Sequence, residues 1–330
     1  MAETITIDQA LCLNGRYKEM HCQRCRDHCP ANCIDENWQI QSKLCNHCGV
    51  CVAVCPAEAI AALSYSNREL EHRAAENPSL FACKKQSRES SWPCLGFLES
   101  RLLFALVYKG STLIVDDRAC GQCNPAVHMQ LTNAIANANR MLTFCNKNVI
   151  QSGDKAAYIK VRGKAISRRG FFSEMFSAAL ETIREVTFPT GATIERLERQ
   201  KWIATYLSAM PAIRLPENSK VFFNMSISDA CQACGLCAKL CSSKAITVID
   251  LTSELEIYHQ PVQCTGCHVC VTHCPVQAIA IGAANQLGKH RVIQAKLPRC
   301  SSCDQLFQPV DNQRICLECM LKNRLQTGCC

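Results

Sequence analysis

The sequence predicts an α+β chain assembled from several small metal–thiolate modules. Three observations predict it. Cysteine supplies 28 of 330 residues, about 8.5%. Most of these cysteines fall in repeated C-x2-C spacings. Between the repeats, a strand–helix–strand–helix alternation marks a small α/β unit. The expected layout is a paired-loop module at residues 1–70, an α/β domain at 71–150, a helical linker at 151–221, a second paired-loop module at 222–290 and a four-cysteine motif with a tail at 291–330.

So much cysteine often means a disulfide scaffold, but that rule concerns short secreted chains. MAETITIDQALC lacks a basic segment followed by an apolar one and a cleavage site. No run of 18 apolar residues occurs, since LLFALVYKGSTLIV is broken by Lys109 and Gly110. A reducing, cytoplasmic setting with metal-bound thiolates, kept anaerobic, is therefore expected, with no membrane span. Ser167–Phe172 (SRRGFF) looks like an export signal but lies mid-chain, with Glu174 in the apolar run that follows. It is read as the basic start of a helix.

Four segments align. Cys45, Cys48, Cys51 and Cys55 form C-x2-C-x2-C-x3-C followed by Pro56, as do Cys264, Cys267, Cys270 and Cys274 followed by Pro275. Cys231, Cys234, Cys237 and Cys241 repeat the spacing, with Ser242 in place of proline. In the fourth copy Cys22, Cys25 and Cys29-Pro30 match the last three positions. Cys12 is read as the displaced first member, because ITIDQALC mirrors SISDAC before Cys231; residues 13–21 then loop out. Cys33 falls where the other copies have Ala59, Ala245 or Ala278, which suits a small buried side chain. The competing reading makes Cys33 the ligand and leaves Cys12 free.

This pattern resembles the bacterial two-cluster ferredoxins over roughly residues 5–62 and 224–282, about a third of the chain. The resemblance implies ferredoxin-like domains in which three closely spaced thiolates serve one 4Fe-4S cube. The fourth cysteine, at the start of a short helix, crosses to the neighbouring cube. Carried over, Cys12, Cys22, Cys25 and Cys55 would hold cluster one, and Cys45, Cys48, Cys51 and Cys29 cluster two. Cys231, Cys234, Cys237 and Cys274 would hold cluster three, and Cys264, Cys267, Cys270 and Cys241 cluster four. Full ligand sets leave no iron open to substrate, which favours electron transfer. His21, His28, His47, His268 and His273 would be solvated or would tune potentials through hydrogen bonds to sulfur. A cube on four thiolates carries roughly −2, so four would bring the formal charge of +8 to about zero without any acidic partner.

In the central region SLFACKK predicts a strand ending at Cys83. Cys94 is expected at a helix start, with Leu95, Leu98, Leu102 and Leu106 on one face and Gly110 as the stop. STLIVDD predicts a second strand, Cys120 and Cys123 follow it, and Asn124-Pro125 opens a helix through Met141. Elements of one parallel unit bring their strand ends to one edge. The arrangement weakly resembles the thioredoxin-like 2Fe-2S ferredoxins, with a narrower closing pair. A fifth Fe–S cluster on Cys83, Cys94, Cys120 and Cys123 is one reading; a redox-active or zinc-binding C-x2-C is the other. Cys145 is read as core. The linker predicts helices over Phe171–Val186 and Ile194–Ala209, bracing the modules or docking a partner.

Cys300, Cys303, Cys316 and Cys319 form two knuckles twelve residues apart. This zinc-ribbon-like spacing predicts a closed, structural tetrahedral site, with zinc favoured over a single iron. Cys329 and Cys330 are read as a frayed tail. Gly15, Gly49 and Gly96 are isolated, and neither a nucleotide-binding glycine loop nor a nucleophile–base pair occurs. Basic residues are not interleaved with aromatics, which disfavours nucleic acid. The sequence thus predicts a multi-cluster electron-transfer subunit with a protein redox partner (oxidoreductase subunits). A reductase acting at the central cysteines and a redox-sensing regulator acting through the zinc ribbon are the alternatives.

Overall fold

The computed structural model describes residues 5–62, 65, 67–87, 90, 92–153, 156, 197–208, 213–217, 219–251, 253–309, 313–320 and 322. The expected helix at Phe171–Val186, the SRRGFF segment and the terminal Cys329–Cys330 pair lie outside the described residues. Helices and strands mix throughout, as an α+β chain requires, and two compact units are formed: Met1–Arg16 with Cys22–Trp202, and Tyr17–His21 with Ile203–Cys330.

In the first unit, β1 (Ile5–Ile7) pairs antiparallel with β2 (Ile60–Ala62), Ile5 facing Ala62. Between them lie three short helices, α1 (Leu13–Arg16), α2 (Arg24–Asp27) and α3 (Val50–Val54). Then α4 (Asn67–Ala75) leads to β3 (Ser79–Phe81), α5 (Ser100–Tyr108), β4 (Leu113–Val115), the single turn α6 (Cys120–Cys123), α7 (Pro125–Phe144) and β5 (Gln151–Ser152). The sheet order β3-β4-β5 is parallel throughout. Among the described residues no antiparallel strand joins it.

One correction concerns Cys94. It lies in a turn, and α5 begins at Ser100, where the Glu99 carboxylate caps the helix by accepting from the Arg101 N–H at 3.1 Å. Leu95 and Leu98 are buried from that turn and not from a helix face. Leu102 to Val107 are buried on every side, so α5 is a core helix with no solvent stripe. For a side chain such as Phe104 this burial contributes about 1.5–3 kcal/mol. Helix α7 starts as expected, with Asn124 accepting from Val127 N–H at 3.3 Å and Pro125 in the first turn. Cys145 is its half-buried C-cap.

An aromatic stack ties the cysteine loops to the α/β sheet. Tyr65–Phe97, Phe97–Trp92 and Trp92–Phe81 each meet at 5.0 Å between ring centroids, and the Tyr65 hydroxyl donates to the His47 carbonyl at 2.7 Å.

The second unit repeats the antiparallel pairing of β1 and β2: β6 (Phe223–Ile227) runs antiparallel to β9 (Ile279–Ala283). Short helices α9 (Leu236–Leu240) and α10 (Val269–Thr272) carry its cysteine loops, while α8 (Arg199–Leu207) precedes the module. One closing bond recurs in both modules, Asp8 N–H to Ala59 O at 2.8 Å and Ser228 N–H to Ala278 O at 2.9 Å. Between the two cysteine loops the second module adds β7 (Ile246–Asp250) and β8 (Glu254–His259), which form a three-stranded antiparallel sheet with β10 (His290–Lys296) in the order β10-β8-β7. The sheet therefore runs past residue 290, the expected module edge. Leu255, Ile257 and His259 occupy the buried face of β8. Tyr17, counted in this unit, donates to the Leu240 carbonyl at 3.1 Å.

Candidate metal centres

The regular copies share one backbone. The residue before the second cysteine takes positive φ (His47 54°, Ala233 57°, Gly266 63°), and so does the residue after it (Gly49 79°, Gly235 67°, His268 63°). Alternation of this kind turns successive N–H groups into one concavity that favours anions. His268 shows that the second position does not demand glycine for its φ alone. At Gly49 the demand is spatial: a Cβ would lie 2.7 Å from the Tyr65 ring. In all four copies the residue three beyond the fourth cysteine also has positive φ: Asn32, Glu58, Lys244 and Gln277.

This geometry corrects the expectation that the fourth cysteine starts a helix. Cys55 and Cys241 are the C-caps of α3 and α9, and Cys29 and Cys274 follow just beyond the ends of α2 and α10. The chain then turns back, and the N–H four residues on donates to the sulfur: Ala59 to Cys55 and Ala278 to Cys274 at 3.3 Å, Cys33 to Cys29 at 3.5 Å.

Cys12, Cys22, Cys25 and Cys55 line one cavity with Trp38, of about 330 Å³. Cys12 is thus beside Cys22 and Cys25 despite the long intervening segment. Asn14 explains how: its side chain accepts from the Cys22 N–H at 2.8 Å and donates to the Cys22 carbonyl at 2.7 Å. A second cavity, of about 300 Å³, is lined by Cys29, Cys45, Cys48 and Cys51, and by Cys33. Cys33 is buried as expected, but it sits with the second set, its sulfur 3.4 Å from that of Cys29. The alternative in which it substitutes for Cys12 is therefore not met by the geometry.

In the second unit Cys241, Cys264, Cys267 and Cys270 line a cavity of about 360 Å³. The thiol of Cys237 is pushed up to about 12 by burial and by the charges of Cys234, Cys231 and Cys274, which lie beside it. Burial and the neighbouring Cys55, Cys22 and Cys12 likewise push Cys25 up to about 12. Burial raises Cys51 well above the ordinary thiol value. Such groups of buried thiols ionise together only if positive charge is placed among them, so the residues present fit a cationic metal–sulfide core.

His259, which spacing did not single out, edges the cavity of Cys241, Cys264, Cys267 and Cys270. It is 1% exposed, and both ring nitrogens are buried without a partner among the described residues. Burial, then the charge of His290, lowers it to about 4 and keeps the ring neutral, with one N–H to donate. An orphaned donor at the edge of a sulfur-lined cavity fits a guest bearing acceptor sulfurs.

Arg199 was also invisible to spacing. It is 5% exposed, and its guanidinium donates to the Ala53 carbonyl at 2.6 Å and the Cys55 carbonyl at 2.7 Å, at the negative end of α3. Glu58 and Glu99 lie 3.9 Å away.

Cys83, Cys94, Cys120 and Cys123 line a further cavity, with Cys48 in its wall. The sulfurs of Cys300, Cys303, Cys316 and Cys319 all lie within 4.8 Å of one another. The Cys303–Cys316 separation of 3.8 Å matches the edge of about 3.8 Å that a tetrahedron with Zn–S bonds of about 2.3 Å requires. N–H groups of Cys316 (3.3 Å) and Ser302 (3.4 Å) donate to Cys300. Led by the Cys316 contact, they pull its thiol down to about 6. These four sulfurs fit a single tetrahedral ion.

Comparison with known proteins agrees with the cysteine loops. Residues 230–278 match a family model described as a 4Fe-4S dicluster domain, and residues 20–66 match one described as an LdpA Fe-S cluster-binding domain. These stretches take in Cys22 to Cys55 and Cys231 to Cys274. The chain thus carries iron–sulfur cluster-binding domains. Over 43 residues it is 40% identical to pyruvate synthase subunit PorD of Methanothermobacter marburgensis, a stretch that is 13% of this chain. That stretch spans 53% of the relative, about half its length. Among the described residues no helix is long and apolar enough to cross a membrane.

Proposed function

We propose that the chain is a four-cube electron-transfer protein, a subunit that passes electrons between a donor and an oxidoreductase. The observation that carries this reading is the grouping of sulfurs. Cys55 faces Cys12, Cys22 and Cys25, and Cys29 faces Cys45, Cys48 and Cys51. Cys274 lies beside Cys231, Cys234 and Cys237, and Cys241 beside Cys264, Cys267 and Cys270. Each set offers four thiolates, so bound cubes would supply one-electron chemistry with no iron left open to a substrate. The protein's own part is to hold these thiolates rigidly, exclude water and aim backbone N–H groups at sulfur, which tunes potential. Two two-cube modules, at 1–70 and from 222 through the β10 strand, then make two short relays.

Support for a partner enzyme comes from the relative, which is named as a subunit of pyruvate synthase. Zinc at Cys300, Cys303, Cys316 and Cys319 is assigned a structural role, because no coordination position remains for a substrate. The test is an anaerobic reductive titration. The reconstituted protein should accept about four electrons from dithionite, one per cube, and return them to a viologen acceptor. A protein that binds iron and sulfide yet exchanges no electrons would overturn the reading.

A further inference from the structure

We propose that Cys83, Cys94, Cys120 and Cys123 hold a fifth iron–sulfur cluster, set directly against the second cube of the amino-terminal module. The inference rests on the multi-cluster reading for its purpose, but its ligands are independent of the ferredoxin repeats.

Chain topology brings these cysteines together. Cys83 lies two residues beyond β3, Cys94 in the connection from β3 to α5, and Cys120 and Cys123 in the connection from β4 to α7. All four therefore sit at the carboxyl edge of one parallel sheet, where the loops of such sheets converge on ligands. All four line a single cavity. None of the four is in a disulfide.

Chemistry chooses the guest. The converging donors are sulfurs, which select soft metals and clusters. A lone zinc would draw them as close as Cys300, Cys303, Cys316 and Cys319, the one group of three or more candidate ligands among the described residues that lies within 4.8 Å. The central sulfurs instead stand further apart, with no three of them within 4.8 Å of one another, as thiolates around a multi-iron core must. The Lys85 ammonium lies 3.0 Å from the Cys123 sulfur and offsets the negative charge of such a core.

Position gives the site its use. Asn46 and Cys48 line both this cavity and that of the second cube. Gly96 presses on the same wall: a Cβ there would lie 2.4 Å from the Cys48 carbonyl oxygen, so only glycine lets the Cys94 loop approach. Asn46 and Cys48 thus form a wall shared by the two centres. On the far side Cys123 is exposed, while Cys83 and Cys120 are buried. The centre therefore forms the solvent-facing end of the first relay, where single electrons enter or leave.

The test is iron, acid-labile sulfide and zinc analysis of the anaerobically reconstituted full chain, with Mössbauer counting of clusters. Wild type should hold about 20 irons, or about 18 for a two-iron centre, with about one zinc. The Cys83→Ser/Cys120→Ser variant should fall to about 16 irons, while Cys145→Ser keeps the full number. Reduced wild type should also show magnetic coupling that this variant lacks. About 16 irons with a second zinc in wild type would overturn the proposal, as would an unchanged count in the double variant. Should the double variant fail to fold, the wild-type count decides alone. A wild-type total below 16 from which the double variant still loses its share would count against the four-cube reading and support this site.

Discussion

The sulfur of Cys33 lies 3.4 Å from that of Cys29, within the cavity that also receives Cys45, Cys48 and Cys51. Five thiols therefore surround a place for four. Cys33→Ala should keep every iron. Cys29→Ala should also keep its second cube, now held by Cys33, with an altered EPR signal. The double variant should lose about four irons. Loss of four irons in Cys29→Ala alone would show that Cys33 cannot take over.

Arg199 fills the carboxyl end of α3 with two short bonds while Glu58 and Glu99 balance its charge. Removing one member of such a buried set leaves the others uncompensated. Arg199→Met should destabilise the protein by roughly 3–5 kcal/mol. Arg199→Lys should recover only part of this, since an ammonium lacks the planar fork that reaches both carbonyls. Denaturant unfolding under anaerobic conditions measures both, and an unchanged midpoint in Arg199→Met would contradict the assignment.

His259, whose ring nitrogens are buried without a partner among the described residues, edges the cavity of Cys241, Cys264, Cys267 and Cys270. A hydrogen bond to a core that gains negative charge on reduction favours the reduced state and raises the potential. His259→Leu should lower the potential of one cluster by ~40 mV, the one-electron equivalent of about 1 kcal/mol. EPR-monitored redox titration should show the others unmoved. A uniform shift of all clusters, or none, would contradict the contact.

Chelating zinc from the anaerobic protein should raise hydrogen exchange around Cys300–Cys319 and leave the iron–sulfur absorbance unchanged. The reason is that these sulfurs gather on a local turn whose N–H donors are Ser302 and Cys316. Absorbance lost in step with zinc would contradict a separate structural site.

The sulfur sets were legible in the sequence because three cysteines spaced by three residues on a tight loop must share one centre. Their crossing partners came from resemblance, since spacing says nothing about which loop Cys55 or Cys29 faces. Cys94 misled because Leu95, Leu98, Leu102 and Leu106 keep helical spacing through a turn; the Glu99 cap, three residues before Leu102, marks the true start. The β7–β8 hairpin has its signal in ELEIYH, where buried and half-buried residues alternate along β8. Arg199 acts at a distance along the chain. It meets Cys55 across 144 residues, which no local periodicity can report.

The account turns on the fourth thiolate of each loop serving the neighbouring cube. Mössbauer and EPR spectra of anaerobic Cys55→Ser test this most directly. The serine should perturb the same cluster that Cys12→Ser and Cys22→Ser perturb, and leave intact the one that responds to Cys45→Ser. A Cys55→Ser spectrum that follows Cys45→Ser instead, or a wild-type protein that takes up no iron and sulfide at all, would contradict it.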